Sequence, residues 1–306
     1  MKWMKKLVTL MTLLLALVNL PVHSFAKDTV TFKTEDGEVE IAKDPTKIIA
    51  FDLGTLDTLA QLGEEARVVG GPEHAIFPEH LKETYASIEN VGGMKDPDLE
   101  KINALQPDVI FISSRQADFV ADFEKIAPVV FVPVMDENQW TTTKEHTLAL
   151  VELVGKTDQA QTIIDDLESQ MAQLKEKAQN KKALFMMLNE GTLSVFGATS
   201  RYGILYNEFG FEPADEAIDA SSHGQQVTFE YVLEKNPDVL FVLDRQRAIG
   251  QPADENNALL DNELIKQTGA GKDGAIVTVQ PDAWYLSAGG LKTTQIMIDD
   301  ANKVLE

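Results

Sequence analysis

Short apolar runs alternate with amphipathic stretches along most of the chain. Each run is bounded by turn-forming or charged residues and has the length of a buried strand. These runs include residues 47–52, 66–70, 107–113 and 128–134 in the first half, and 182–188, 192–197, 237–243 and 275–279 in the second. Strands that alternate with helices predict α/β layers built on parallel sheets.

One longer amphipathic stretch separates these halves. Between residues 157 and 180 the apolar side chains recur at helical spacing, at Ala160, Ile163, Ile164, Leu167, Met171 and Leu174. About 22 residues at 1.5 Å each give a helix of roughly 33 Å, which is long enough to bridge two lobes. We therefore predict an α/β fold of two Rossmann-like lobes, residues 27–156 and 181–306, joined by a single long α-helix at 157–180, with a ligand cleft between the lobes.

A sequence element occurs once in each predicted lobe. DLEKINALQPDVIFI at 98–112 and TFEYVLEKNPDVLFV at 228–242 both read as a short helix, a Pro-Asp break and a buried strand, and they lie 130 positions apart. The matched pairs are Leu99/Phe229, Glu100/Glu230, Ile102/Val232, Pro107/Pro237, Asp108/Asp238 and Phe111/Phe241. The repeat predicts that the lobes are two copies of one α/β unit.

The N-terminal segment has the pattern of a secretory signal peptide. Three lysines precede an apolar run from residue 7 to residue 20, and Ser24 and Ala26 have the spacing of a signal-peptidase site. The run is shorter than the ~20 residues that a transmembrane helix needs. We expect cleavage after Ala26. The chain contains no cysteine, so we expect no disulfide, no lipid anchor and a freely soluble protein in the periplasm.

The chain is strongly acidic, with 49 Asp and Glu residues against 27 Lys and Arg and a formal charge of −22. Such a surface repels nucleic acid and anionic lipid headgroups, so we expect neither as a partner. Arginine is scarce, and the five arginines are Arg67, Arg115, Arg201, Arg245 and Arg247. The positions of these few arginines are therefore informative.

Three of the arginines follow predicted strands. Arg115 and Arg245 come after the strands of the repeated element, again 130 residues apart, and Arg201 comes after the strand at 192–197. Ligands of α/β sheets bind beyond the carboxyl ends of the strands, so these guanidinium groups are candidates for one cleft. The alternative is that they are solvated surface residues.

Further candidate residues lie in the second half. His223 stands in a loop of small residues, DASSHGQQ, and Trp284 and Tyr285 follow the last predicted strand. Packing in the core is the alternative for the two aromatic residues. Three cations, an imidazole and a phenol at one edge of the sheets predict a positive pocket in a negative protein, which suits a compact anionic ligand.

These features together resemble the periplasmic siderophore-binding proteins of ABC importers. The resemblance rests on the signal peptide, the paired elements, the single linking helix and the segment DAWYLSAGG at 282–290, and it covers essentially the whole mature chain. The arginines, His223 and Tyr285 are similar to the residues of the subset that binds ferric catecholates such as enterobactin. The resemblance implies that Arg115, Arg201 and Arg245 surround the catecholate oxygens, and that His223 and Tyr285 can touch the iron. We also expect Trp284, which adjoins the proposed site, to contact the ligand.

The chemistry of iron agrees with this expectation. Ferric iron accepts oxygen donors and tolerates imidazole, in about six coordination positions. A tris-catecholate fills all of these positions, whereas a bis-catecholate leaves two that a histidine and a tyrosine can fill. We expect no intrinsic cofactor, with Fe(III) carried as the siderophore complex.

Two glutamates of the repeated element have two interpretations. Glu100 and Glu230 each follow a plausible N-cap, Asp98 or Thr228, and an acid in the first helical turn is stabilised by ~0.3–1 kcal/mol through the helix dipole. The resemblance implies instead that one glutamate per lobe docks onto the inner-membrane ABC permease. Symmetric contacts suit a two-fold permease and a monomeric binding protein.

Other functions remain as alternatives. GAGKDG at 269–274 matches the dinucleotide fingerprint, but it follows a helical stretch and precedes a strand, the reverse of the required order, which disfavours an NAD-type enzyme. A zinc or manganese carrier of the same architecture would draw on His74, His80 and His146 and leave the arginines without a role. A haem or cobalamin carrier is the nearer alternative.

Overall fold

The computed structural model describes residues 28–133, 137–218, 223–251 and 261–305. The predicted signal peptide, residues 1–26, lies outside the described residues. The strands of the first half are β1 Thr29–Thr34, β2 Gly37–Ala42, β3 Ile48–Ala50, β4 Val68–Gly71, β5 Glu89–Asn90, β6 Gly92–Gly93, β7 Asp96–Pro97, β8 Val109–Ile112 and β9 Val129–Phe131. Its α-helices are α1 Leu53–Gln61, α2 Glu79–Lys82, α3 Leu99–Leu105, α4 Val120–Phe123 and α5 Gln139–Val154.

The second half begins with the long helix α6 Thr157–Ala178. Its strands are β10 Lys182–Asn189, β11 Thr192–Phe196, β12 Glu212–Pro213, β13 Gln225–Val227, β14 Val239–Asp244 and β15 Ile276–Thr278. Its shorter helices are α7 Ile204–Asn207, α8 Phe229–Lys235, α9 Arg245–Ala248, α10 Glu263–Lys266, α11 Gly269–Asp273, α12 Pro281–Leu286 and α13 Leu291–Asn302.

Each half forms one lobe around a central sheet. The N-terminal sheet has the strand order β5-β4-β3-β8-β9, and every pairing in it is parallel. The C-terminal sheet has the order β13-β11-β10-β14-β15, with β12 also pairing with β10. The pairs of β10 with β14 and of β14 with β15 are parallel, as the sequence predicts.

The other side of the C-terminal sheet differs from the prediction. Strand β11 runs antiparallel to both β10 and β13, so this sheet is mixed and not wholly parallel. The reason is the two-residue turn between β10 and β11, in which Glu190 and Gly191 have φ values of 51° and 78°. Positive φ at both positions is the requirement of a tight β-hairpin, and a hairpin joins only antiparallel strands.

The linking helix contributes to the cores of both lobes. Near its start, Ala160 packs with the N-terminal core that includes Leu150 and Val154. One turn later, Ile164 begins a series of buried residues that pack in the C-terminal core, together with Leu167, Met171, Leu174 and Ala178. The helical spacing read from the sequence is therefore confirmed, and both ends of α6 are anchored by apolar contacts.

Within the described residues, no helix has the combination of length and apolar character that crossing a membrane requires.

The sequence GAGKDG does not form a phosphate-binding loop. Its residues Gly269–Asp273 are helical, Thr268 caps this helix by accepting a hydrogen bond from the backbone of Gly271, and Gly274 ends it in the left-handed conformation. The strand β15 follows the helix, which is the order that the sequence predicts.

Candidate ligand-binding site

The repeated element delivers one arginine from each lobe to the cleft. In the N-terminal lobe, β8 is followed by a 3-10 helix at Ser114–Phe119 that carries Arg115. In the C-terminal lobe, β14 is followed directly by α9, whose first residue is Arg245 and whose N-cap is Asp244. Both arginines lie beyond the carboxyl ends of the central strands, where the sequence places them. Arg201 comes from a turn after β11.

Tyr285 on α12 is the common contact of the three arginines. Its phenolic oxygen accepts a hydrogen bond from Nε of Arg245 at 3.0 Å. Its backbone carbonyl accepts bonds from Nη2 of Arg201 at 2.8 Å and from Nη2 of Arg115 at 3.2 Å. The three guanidinium carbons lie 5.1 to 5.7 Å from the centre of its ring, within the range of cation–π attraction.

The clustered charges change the acidity of their neighbours. Burial raises the pKa of Tyr285, but the hydrogen bond from Arg245 and the positive charge of the three arginines outweigh burial, so the net pKa lies below that of a free phenol. Burial, together with the nearby charge of Arg201, lowers the pKa of Arg115. This arrangement makes ionisation of Tyr285 easier than that of a free phenol, and it favours any anion that neutralises the guanidinium groups.

The arginines and Tyr285 line a cavity of about 960 Å³ between the lobes. His223, in the loop before β13, lines the same cavity. The predicted set of three arginines, His223 and Tyr285 is therefore brought together in one place. Side chains on the cavity wall from the N-terminal lobe include Asp52, Lys95, Ser113, Ser114 and Val132, and those from the C-terminal lobe include Met187, Asn189, Glu190, Thr192, Ser194, Phe196, Thr199, Tyr202 and Gln226.

Among the described residues on this wall, four side chains are cationic and two are acidic. Lys95 joins the arginines, and the acids are Asp52 and Glu190. Burial raises the pKa of Asp52, and hydrogen bonds from Thr55 and the charge of Arg115 offset only part of this effect. The cavity is therefore positive within a protein of formal charge −22, as the sequence predicts.

Lys95 and Asp52 are site residues that sequence reasoning missed. Lys95 lies in the turn between β6 and β7, and the buried Gln116 holds this turn by donating from its side chain to the carbonyl of Met94. No local pattern marks a lysine in a short hairpin as a site residue. Asp52, in contrast, lies two residues beyond the strand Ile48–Ala50, so the strand-end rule that identified Arg115 could have identified it too.

Trp284 does not lie on the cavity wall, and this corrects the expectation that it contacts the ligand. The side chain is fully buried in the C-terminal core beside Phe185, and its indole N–H donates to Asp300 at 2.9 Å. On a helix, successive residues point about 100° apart, and here Tyr285 faces the cleft while Trp284 faces the core. The structure favours packing, the alternative considered for this residue.

The two docking candidates occupy equivalent positions. Glu100 and Glu230 are both exposed and lie in the first turns of α3 and α8. The N-caps are those expected: Asp98 accepts from the backbone of Lys101, and Thr228 from the backbone of Tyr231. A hydrogen bond to its own backbone N–H and one from Thr228 lower the pKa of Glu230.

The three histidines considered for a bare metal ion lie in separate environments. His146 is buried against Phe32 and Phe111, His74 bonds to the carbonyl of Lys82, and His80 lies 3.7 Å from Asp57. Across residues 28–133, 137–218, 223–251 and 261–305, no group of three or more His, Cys, Asp or Glu side chains is placed to hold a metal ion.

Two α/β lobes, one linking helix and a charged cleft between the lobes define a bilobal solute-binding protein. Comparison with known families agrees, since residues 48–283 match the model of the family described as periplasmic binding protein. The chain belongs to this family. It is accordingly an extracytoplasmic, non-enzymatic binding component.

Individual relatives are similar over almost the whole chain. The petrobactin-binding protein YclQ of Bacillus subtilis is 36% identical over 284 residues, covering 91% of this chain and 88% of the relative. The crystal structure of the iron uptake ABC transporter substrate-binding protein PiuA from Streptococcus pneumoniae is 42% identical, with a TM-score of 0.86, and the match covers 91% of this chain and 100% of PiuA. The periplasmic catecholate-siderophore binding protein VctP from Vibrio cholerae is 27% identical, with a TM-score of 0.84 and coverage of 90% and 100%.

Proposed function

We propose that this protein is the substrate-binding component of an iron–siderophore ABC importer, and that its cargo is a ferric catecholate complex. The observation that carries the proposal is the cluster of Arg115, Arg201 and Arg245 around Tyr285 in the interlobe cleft. The similarity to proteins named for petrobactin, iron uptake and catecholate-siderophore binding supports the same class of cargo.

The cleft suits a compact polyanion with a planar donor face. Guanidinium groups are planar, remain charged and form hydrogen bonds that charge makes shorter and stronger. Catecholate oxygens carry the negative charge of the complex at its surface, where such donors reach them. The cavity volume of about 960 Å³ lies near the upper end of ordinary ligand pockets, about 300–1,000 Å³. Lys95 adds a fourth cation from the N-terminal lobe.

His223 and Tyr285 are the proposed iron ligands for a complex that leaves two coordination positions open. Both residues line the cavity. The hydrogen bond from Arg245 and the charge of the arginines lower the pKa of Tyr285, so its ionisation to the phenolate, the form that ferric iron binds, is easier than for a free phenol. A tetradentate bis-catecholate would therefore gain one phenolate and one imidazole, whereas a hexadentate tris-catecholate would rely on the cations alone.

Delivery requires a docking surface on the membrane permease. Glu100 and Glu230 are exposed on equivalent helices, one in each lobe, and we assign them to this contact. A two-fold permease would be met by one monomer with a matched acid on each lobe. With no cysteine in the chain, we also propose a periplasmic location without a lipid anchor.

Titration with ferric bis-catecholate, tris-catecholate and hydroxamate complexes tests the cargo. Intrinsic tryptophan fluorescence reports binding, because a bound ferric catecholate quenches nearby indoles, and Trp284 adjoins Tyr285 in the sequence. We expect tight binding of the catecholates and weak binding of the hydroxamate. Preference for the hydroxamate would contradict the assignment of the arginines.

Variants then test the iron ligands. Tyr285→Phe or His223→Ala should weaken bis-catecholate binding at least ~10-fold, the effect of losing roughly one charge-assisted contact, and should affect the tris-catecholate less. The charge-transfer band of the bis-catecholate complex should shift on binding to the unmodified protein and shift less with Tyr285→Phe. Tyr231→Phe, which removes a hydroxyl bonded to Asp215, is the matched control. Equal losses for both complexes would mean that the two residues only line the pocket.

A further inference from the structure

The segment that carries Tyr285 contacts both lobes. It follows β15 of the C-terminal lobe, but the start of α13 faces α1 of the N-terminal lobe. The carboxylate of Asp57 on α1 is fully buried and accepts hydrogen bonds from the backbone of Thr293 at 2.7 Å and of Lys292 at 3.2 Å. A carboxylate of one lobe therefore satisfies the free N–H groups at the start of a helix of the other lobe.

Two glycines allow this close approach. A Cβ on Gly290, the N-cap of α13, would lie 2.1 Å from Oδ2 of Asp57, and a Cβ on Gly54 of α1 would lie 2.9 Å from the carbonyl of Ala288. Non-bonded carbon and oxygen atoms do not lie this close together, so one of the two atoms would have to move. A side chain at either glycine would therefore force the facing surfaces of the two lobes to shift.

A second hydrogen bond to a carboxylate crosses between the lobes. Here the carboxylate belongs to the C-terminal lobe and the donor to the N-terminal lobe. Asp282, in the first turn of α12, accepts a hydrogen bond from the backbone of Glu79 at the start of α2, at 2.7 Å. Asp282 and Tyr285 lie three residues apart on the same helix. The residues from Pro281 to Thr293, here called the bridging segment, are thus bonded to the N-terminal lobe on both sides of Tyr285.

We infer that the bridging segment is a second connection between the lobes, and that Asp57 and Asp282 are positioning residues for Tyr285. The linking helix alone would leave the far side of the cleft free to widen. With the bridging segment attached, Arg115 of the N-terminal lobe meets the carbonyl of Tyr285 at a set distance, and the three guanidinium groups assemble before any ligand arrives. The positioning of Tyr285 toward iron rests on the proposed function, whereas the connection between lobes does not.

The connection is tested in the ligand-free protein by pulsed electron paramagnetic resonance. Because the chain has no cysteine, spin labels can be attached at Lys125→Cys in one lobe and Lys272→Cys in the other, both exposed positions. We expect a single narrow distance distribution in the labelled parent. Asp57→Asn and Asp282→Asn should each broaden it and extend it to longer distances.

Asp98→Asn is the matched control, because it alters a carboxylate cap that acts within one lobe, and its distribution should equal that of the parent. An unchanged distribution in both bridging variants, even with a lower unfolding temperature, would overturn the inference. Asp282 is partly exposed, so Asp282→Asn decides the question if the buried Asp57→Asn variant does not fold.

Ligand binding provides the second measurement. Asp57→Asn and Asp282→Asn should weaken ferric bis-catecholate binding at least fivefold and reduce the shift of its charge-transfer band. The loss for the tris-catecholate should be smaller, because it loses only the assembled guanidinium contacts and no contact with the Tyr285 phenolate. Equal losses for both complexes would reject the positioning role. If the parent protein bound neither complex, the proposed function would fail, and the interlobe distances would still decide whether the segment connects the lobes.

Discussion

The two lobes contain the same helix–turn–strand element but place it in different sheets. In both copies the helix ends with a residue in the left-handed conformation, Gln106 or Asn236, and a Pro-Asp pair follows. The aspartate then accepts a backbone N–H at the start of the neighbouring strand, Asp108 from Lys47 at 3.0 Å and Asp238 from Lys182 at 2.9 Å. The shared hydrogen bonds explain why two distant sequences fold alike and end in equivalent arginines.

The segments outside the repeat make the lobes unequal. The N-terminal sheet is wholly parallel, whereas the hairpin of β10 and β11 makes the C-terminal sheet mixed and brings Asn189 into the cleft, where it accepts a bond from Arg245. Arg201, His223 and Tyr285 also come from the C-terminal half. The repeated element therefore provides the frame and one cation per lobe, and the unrepeated segments provide the specific chemistry.

The largest expected effect concerns the feature that the lobes share. If Glu100 and Glu230 dock the permease, each single change to Ala should reduce siderophore uptake to a similar degree, and the double variant should abolish it without changing ligand affinity. Uptake of radiolabelled iron and titration of the purified proteins are the measurements. Glu124→Ala and Glu212→Ala, exposed acids on other elements of each lobe, are controls. Loss of ligand binding in the double variant would place the glutamates in the pocket or the fold.

The equivalent arginines should differ in importance. Arg245 bonds to the hydroxyl of Tyr285 and to Asn189, whereas Arg115 bonds to a backbone carbonyl. Lysine keeps the charge but not the planar set of donors, so Arg245→Lys should weaken ferric bis-catecholate binding ~10–100-fold and Arg115→Lys only several-fold. Fluorescence titration measures both, with the exposed Arg247→Lys as control. Equal losses would mean that the lobes contribute symmetrically.

Contact between the lobes should be sensitive to one methyl group. Gly290→Ala places a Cβ against the buried carboxylate of Asp57, and overpacking of this kind costs ~1–3 kcal/mol. Urea unfolding should show a lower midpoint for this variant. Gly93→Ala is the control, because the nearest atom to its Cβ is 3.9 Å away. A Gly290→Ala protein as stable as the control would show that the lobes separate without penalty here.

The smallest expected effect is a difference in acid sensitivity. Burial lowers the pKa of His146 in the N-terminal lobe to about 4, from the ordinary histidine value of 6.5. The unfolded chain then binds a proton that the folded chain excludes, so this stability is present above pH 6.5 and is lost as the pH falls toward 4. The free energy of unfolding should fall by up to about 2 kcal/mol between pH 8 and pH 5.

His146→Phe should remove most of this pH dependence, whereas the exposed His74→Gln should not. In the C-terminal lobe, hydrogen bonds from Lys235 and Tyr231 lower the pKa of Asp215 to about 2. Its contribution is present above pH 3.8 and is lost only as the pH falls toward 2. Urea unfolding measured across this pH range, with Asp215→Asn for comparison, distinguishes the acid sensitivity of the two lobes. A pH dependence unchanged by His146→Phe would contradict the assignment.

Much of the fold was predictable because its signals are local. The strands at 182–188 and 237–243 and the helix at 157–178 follow from apolar periodicity, which depends only on residues near in sequence. The antiparallel β11 was missed because an apolar run does not reveal the direction of its partner. The available signal was the two-residue connection Glu190-Gly191 between the two apolar runs. A connection this short can join only antiparallel strands.

The sequence by itself determined the two lobes, the linking helix and the approach of Arg115 and Arg245 to one edge, since strand ends and repeats are properties of the linear pattern. Only the tertiary structure decided that Tyr285 faces the cleft while Trp284 packs in the core, and that Lys95 reaches the same cavity. It alone joined Asp57 to Thr293. Those outcomes depend on which surfaces meet across hundreds of residues, and packing between distant segments leaves no periodic trace in the sequence.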